Sequence, residues 1–101
     1  MMEDRIYSRA ELRRMDLDTS EYQFLSESGD FQAVLVLKAE ARDRMLRMFF
    51  DFSDGRKIIT PLFWWQRKQG LWDIPVGRPL LLHFGDSSRG GVYLNGVEVL
   101  G

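Results

Sequence analysis

Residues 54–67 read DGRKIITPLFWWQR, and the fold class of the chain follows from them. Asp54-Gly55 is a strong signal for a two-residue hairpin loop, because a type I′ turn needs positive φ at both central positions. Pro61 has no amide hydrogen to donate, so we expect the second strand to end there or to lie at a sheet edge. The segment therefore predicts an antiparallel hairpin within a β-rich domain.

The residues before this turn alternate as a half-buried strand does. From Leu46 to Phe52, apolar side chains on one face alternate with a mixed set on the other. Pairing outward from a loop of two residues places Phe52 opposite Lys57 and Phe50 opposite Ile59. These pairs are the predicted register of the hairpin.

Further strands are predicted on both sides of the hairpin. Residues 80–84 are apolar except for one histidine, a pattern that is typical of a buried strand. Residues 92–94 and 97–99 form a second hairpin, turned by Asn95-Gly96. Upstream, a period of two places one set of side chains on a single face: Phe31, Ala33, Leu35, Leu37 and Ala39.

The N-terminal residues 1–22 are predicted to be a helical lead-in. Ser8 and Glu11 have the spacing of a capping box, in which each side chain satisfies an amide of the first helical turn. Leu12 and Met15 fall on one side, as in a small helix laid on a sheet. A basic cluster is interpreted as a solvated face, with an anion contact as the functional alternative: Arg9, Arg13 and Arg14.

Together these elements predict one α+β domain that is mostly β. We expect a small, strongly bent antiparallel sheet or barrel-like sandwich of five to seven strands with one short N-terminal helix. A chain of 101 residues is one domain by length. Residues 31–101 are expected to form its β-rich core.

Composition limits the classes of function. The chain has no cysteine, which removes disulfides, thiol nucleophiles and thiolate metal sites and suits a reducing, cytoplasmic compartment. The formal net charge is −1, so there is no bulk attraction to nucleic acid or to anionic membranes. We expect no signal peptide and no membrane association.

The sequence offers no catalytic constellation. His83 is the single histidine, and its place in an apolar strand predicts an ordinary strand residue rather than a general base. Carboxylate pairs such as Asp51 and Asp54 lack the apolar pocket that a raised pKa needs. Residues 86–91 are more typical of a hairpin loop than of an anion cradle. We therefore predict a protein that is not an enzyme, with no cofactor and no metal.

The aromatic segment after the hairpin is the strongest candidate for function. Successive residues of a strand point to opposite faces, so three adjacent aromatic residues cannot all enter one core. Three interpretations stay open: core residues covered by another element, a protein-binding patch with Trp and Arg anchors, and a base-stacking surface. The residues concerned are Phe63, Trp64, Trp65, Arg67, Lys68 and Trp72.

The middle third of the chain resembles an uncharacterised bacterial family, domain of unknown function 2442. The resemblance rests on Asp-Gly-Arg at residues 54–56, on Pro61-Leu62, and on Trp64-Trp65 followed by Arg67. The acidic C-terminal segment of that family is not evident here, and the N-terminal helix is additional. The resemblance implies a small α+β protein without known chemistry, of a kind sometimes linked to toxin–antitoxin-like gene pairs or DNA-binding modules.

These observations lead to two functional hypotheses. The first is a non-enzymatic binding protein with a protein partner or a second copy of itself, such as a regulatory accessory protein or a phage-encoded inhibitor. Its surface would combine Arg56 with the aromatic and basic residues of the segment 63–72. The second is a small-barrel nucleic-acid-binding module that uses Arg56, Lys57, Arg67 and Lys68 beside the aromatic rings.

Overall fold

Seven strands form one open, mixed sheet in the computed structural model, which describes residues 5–101. About 46% of the described residues are in strands and 16% in helices, including two 3₁₀ turns at Thr19–Glu21 and Leu71–Asp73, so the predicted mostly-β α+β fold is confirmed. The elements in chain order are β1 (Ile6–Tyr7), α1 (Arg9–Arg14), β2 (Gln23–Phe24), β3 (Gly29–Glu40), β4 (Leu46–Phe52), β5 (Lys57–Leu62), α2 (Trp64–Arg67), β6 (Pro79–Asp86) and β7 (Val92–Val99).

The long strand β3 organises the sheet, whose order is β2-β5-β4-β3-β6-β7. The four main pairings are antiparallel, as predicted. Two two-residue strands add parallel pairings that the sequence did not predict: β1 beside the end of β3, and β2 beside β5. The described chain also has a second short helix, α2, where one helix was expected.

Each face of the sheet carries a hydrophobic cluster. The first cluster includes Leu35, Phe50 and Leu82, and residues 63–76 cover it. The second cluster includes Leu37 and Phe49, and the N-terminal segment with α1 covers it. This arrangement makes β3 and β4 the shared middle layer of the domain.

A β-bulge explains why β3 serves both clusters. Leu35 pairs with Phe50 and Leu37 pairs with Phe49, so Val36 is an extra residue without a partner on β4. An inserted residue turns every later side chain to the opposite face. The prediction that Leu37 shares a face with Leu35 was therefore wrong.

The hairpin between β4 and β5 is present with a different register. The amide of Phe52 donates to the carbonyl of Arg56 at 2.8 Å, so the loop has three residues rather than two. Gly55 has φ of 97°, as expected where a three-residue loop ends in a left-handed residue. Phe50 consequently pairs with Ile58, and the predicted Phe50–Ile59 and Phe52–Lys57 pairs were wrong.

Pro61 lies inside β5, opposite Arg47 of β4. The other side of β5 is paired with β2 only at Ile58 and Ile59, so the proline occupies an edge position. The expectation for Pro61 is confirmed.

The second hairpin differs from its prediction. Residues 92–99 are one continuous strand, and the chain reverses at residues 86–92 instead. His83 pairs with Gly96 and Phe84 pairs with Leu94, so Asn95 is a bulged residue. Asn-Gly is compatible with a turn, but here the strand β6 runs alongside and its ladder holds the chain extended.

Candidate functional site

The aromatic segment is presented by α2, a single helical turn that begins after the extended residue Phe63. Gln66 is fully buried beneath this turn. Its Oε1 accepts a hydrogen bond from the Phe63 amide at 2.8 Å, and its Nε2 donates to the Leu94 carbonyl at 2.8 Å. One buried side chain therefore ties the helix both to its own start and to β7.

With Gln66 directed inward, the neighbouring aromatic side chains face solvent. Trp64 is 58% exposed, Phe63 41% and Trp65 39%. The interpretation of Phe63, Trp64 and Trp65 as core residues covered by another element was therefore wrong. Trp72 differs, because it is partly buried against the first cluster and its Nε1 donates to the Phe63 carbonyl at 3.2 Å.

The two adjacent tryptophans belong to separate surfaces, because successive helical residues are rotated by roughly 100°. Trp65 packs with Phe63, with ring centroids 6.3 Å apart and planes at 5°, and meets Tyr93 edge-on at 6.3 Å. We call these three residues the Trp65 cluster. Each ring packs part of its surface against another ring of the cluster, so we interpret the Trp65 cluster mainly as a contribution to stability.

Trp64 lines a concave surface of about 660 Å³, which we call the Trp64 groove. The groove lies between α2 and the β3–β4 turn. Lys68 Nζ stands 5.7 Å from the centroid of Trp64, and Arg67 stands 5.5 Å from that of Trp72. The charged and tryptophan residues that line the groove are Glu40, Arg44, Trp64, Arg67, Lys68 and Trp72.

Arg44 enters the groove from a strained turn. Asp43 and Arg44 have φ of 58° and 61°, and the Met45 amide donates to the Arg42 carbonyl at 3.1 Å. Both central residues of this two-residue turn are left-handed, a conformation that costs a non-glycine residue roughly 1–2 kcal/mol.

Arg56 does not belong to the aromatic surface. It lies at the other end of β5 from Phe63, roughly 23 Å away at about 3.3 Å per residue. Its guanidinium bonds Asp54 at 2.7 Å and Glu27 at 2.8 Å, and this pairing lowers the pKa of Asp54. The predicted grouping of Arg56 with the aromatic residues was therefore wrong.

His83 was predicted to be an ordinary strand residue, and the sheet places it between two carboxylates. Its Nδ1 is 2.7 Å from Asp30 on β3, and its Nε2 is 3.3 Å from Glu98 on β7. Hydrogen bonding to Asp30, followed by the charges of both carboxylates, raises the pKa of His83. No local sequence pattern indicates this triad, because it depends on the register of β6 against both neighbouring strands.

The loop at residues 86–91 closes on itself. The Ser87 amide donates to the Gly91 carbonyl at 3.0 Å, and the Gly90 amide donates to the Ser87 carbonyl at 3.1 Å. The Arg89 amide donates to Ser87 Oγ at 3.2 Å. Because these amides are used within the loop, the hairpin interpretation is confirmed.

Among residues 5–101, no group of three or more histidine, aspartate or glutamate residues is placed to hold a metal ion. No helix there is long and apolar enough to cross a membrane.

Comparisons with protein-family models, with curated proteins and with solved structures found no significant match to this chain. The resemblance of the central segment to domain of unknown function 2442 therefore stays a prediction.

Proposed function

We propose that this chain is a non-enzymatic binding protein whose Trp64 groove docks an acidic, partly apolar segment of a protein partner. The observation that carries the proposal is the 58% exposure of Trp64 on a helix that buried Gln66 holds in place. A tryptophan side chain has only two rotatable bonds, so it loses little conformational entropy on binding. Tryptophan and arginine are also the residue types most enriched among interface anchors.

The charges around the groove favour an acidic partner. Within residues 5–101, no carboxylate forms an ion pair with Arg44, Arg67 or Lys68. Among the described residues that line the groove, Glu40 is the one with an acidic side chain. A partner carboxylate would gain a charge-assisted hydrogen bond there, while an apolar side chain beside it would cover Trp64.

A protein is favoured over a nucleic acid for two reasons. The net charge of −1 gives no general attraction to phosphate backbones. In addition, Arg56 and Lys57 are separated from the groove and contact carboxylates, Lys57 lying 3.5 Å from Asp51. The basic surface next to the aromatic rings is therefore smaller than the nucleic-acid hypothesis requires.

A cytoplasmic, accessory role belongs to the same proposal. The absence of cysteine supports a reducing compartment, and binding without chemistry suits a regulatory protein or an inhibitor.

The test is site-specific photocrosslinking followed by affinity measurement. A benzophenone amino acid replaces Trp64 in one sample and Phe24 in the other. Phe24 is 69% exposed on β2 and lies outside the groove, so it is the matched control. We expect a partner captured from position 64 only, crosslinked through an acidic segment.

Binding of that segment is then measured with purified variants. Trp64→Ala should weaken it by at least about thirtyfold, the loss of a typical anchor residue. Phe24→Ala should leave it unchanged. Equal affinity in both variants would refute the proposal. Capture of a second copy of the chain would show that the groove forms a homodimer and does not bind a different protein. Salt-sensitive binding of oligonucleotides that is lost in Trp64→Ala would favour a nucleic-acid ligand.

A further inference from the structure

A second concave surface lies on the opposite face of the sheet, between α1 and β4. It has a volume of about 300 Å³ and is lined by three arginines, Arg9, Arg13 and Arg47. Arg9 and Arg13 are four residues apart on α1 and so share one side of the helix. We call this surface the arginine pocket.

Among residues 5–101, no acidic side chain neutralises the positive charge of the arginine pocket. Within residues 5–101, no carboxylate forms an ion pair with any of the three arginines. Two acidic residues of the same segment are held by other groups. Glu11 bonds Arg5 and the Ser8 amide, and Asp18 accepts from the Ser20 amide.

Arg47 is the least exposed of the three arginines. Its Nη2 donates to the Glu40 carbonyl at 3.0 Å, but its buried Nε has no hydrogen-bond partner. Burial, and next the charge of Arg9, lower the pKa of Arg47. A buried donor without an acceptor is costly, and like charges held together add to that cost. An anion in the pocket would offset the repulsion between the guanidinium groups.

We propose that the arginine pocket binds the phosphate group of a small molecule, either free phosphate or a phosphate monoester. Guanidinium forks match the oxygens of phosphate, and a dianion balances more of the pocket's charge than a carboxylate does. Thr19 also lines the pocket and carries a hydroxyl group that can donate a hydrogen bond, and Leu12 and Leu17 provide apolar lining for an attached organic group. This site is independent of the Trp64 groove.

The first experiment titrates the full chain at fixed ionic strength with inorganic phosphate, glycerol phosphate and acetate, observed by ¹⁵N–¹H correlation spectra. We expect the Arg47 Nε–Hε signal to shift saturably with at least one of the phosphates and not with acetate. Saturation by glycerol phosphate alone would identify an organic phosphate as the ligand class. Equal response to acetate, or no response to either phosphate, would overturn the proposal.

The second experiment compares two variants that remove the same charge. Arg9→Gln/Arg13→Gln should weaken phosphate binding by at least about tenfold, since a charge-assisted hydrogen bond contributes that much or more. Arg14→Gln/Arg42→Gln changes exposed arginines outside the pocket and should alter the affinity by less than about twofold. Equal losses in both variants would show diffuse attraction and refute a site. Binding of a single-stranded oligonucleotide, but of neither small phosphate, would also refute it.

Discussion

At the scale of single residues, Gln66 has the largest influence on the candidate site. It is the only fully buried polar side chain among the largest buried residues of the described chain, and both ends of its amide are hydrogen-bonded. A glutamine at the third position of a helix is a recognised capping residue, so the sequence did contain a signal for it. The neighbouring tryptophans are exposed because this residue occupies the inward position.

Replacing Gln66 by leucine should destabilise the protein. The change leaves the Phe63 amide and the Leu94 carbonyl without partners, at about 1–3 kcal/mol for each buried group. We expect the free energy of unfolding, measured by urea denaturation, to fall by about 2–4 kcal/mol. Gln69→Leu, at an exposed position of the same segment, is the control and should change it by less than about 0.5 kcal/mol. Equal effects of the two variants would contradict the anchoring role.

His83 makes a pH-dependent contribution whose sign follows from its two carboxylates. Its pKa is raised in the folded state, above the ordinary 6.5. The stabilisation by protonated His83 is therefore fully present below about pH 6.5 and is lost as the pH rises through the folded pKa. Asp30→Asn should lower the pKa of His83. The substitution should also lower the urea midpoint, and this decrease should be larger at pH 5.5 than at pH 8.5.

Because His83 is the only histidine, its ring protons can be titrated without ambiguity by NMR. Asp86→Asn removes an acidic side chain that contacts Ser28 instead, and serves as the control. A folded pKa at or below 6.5 in the wild-type chain would contradict the prediction.

At the scale of elements, the sequence predicted which segments are strands better than how they pair. Alternation and apolar runs identified β3, β4, β5 and β6, and the capping pattern at Ser8 identified α1, whose capping box is present. Two errors are one-residue shifts, at Val36 and at the Asp54-Gly55 loop. The third is the turn predicted at Asn95-Gly96, where the strand continues through a bulge. Each depends on contacts with a neighbouring strand, which local sequence does not contain.

The candidate site was predicted in part for the same reason. Residues 63–72 are close in sequence, so their common location followed directly. Arg44 and Tyr93 join them only through the folded sheet, and Arg56 is carried away by the length of β5. The helical geometry of α2 also divides the aromatic residues between two surfaces. The sequence pattern did not predict this division.

At the scale of the whole molecule, the two hydrophobic clusters lie back to back across β3 and β4. Phe49 belongs to the second cluster and Phe50 to the first, and both are fully buried. Adjacent residues of a strand point to opposite faces, so neither cluster can lose its packing without disturbing the strand that supports the other. This geometry implies one cooperative unit.

Phe49→Leu tests this cooperativity. The cavity it leaves in the second cluster should lower the free energy of unfolding by about 1–3 kcal/mol. All three tryptophans lie in residues 64–72, in the segment that covers the first cluster, so their fluorescence reports the face opposite to the substitution. We expect the fluorescence transition in urea to move to lower concentration by the same amount as the methyl NMR signal of Leu12, which packs in the second cluster. Phe24→Leu, at an exposed position, should move neither. If the Leu12 transition moved while the tryptophan transition did not, the faces would unfold separately and the single-domain description would be wrong.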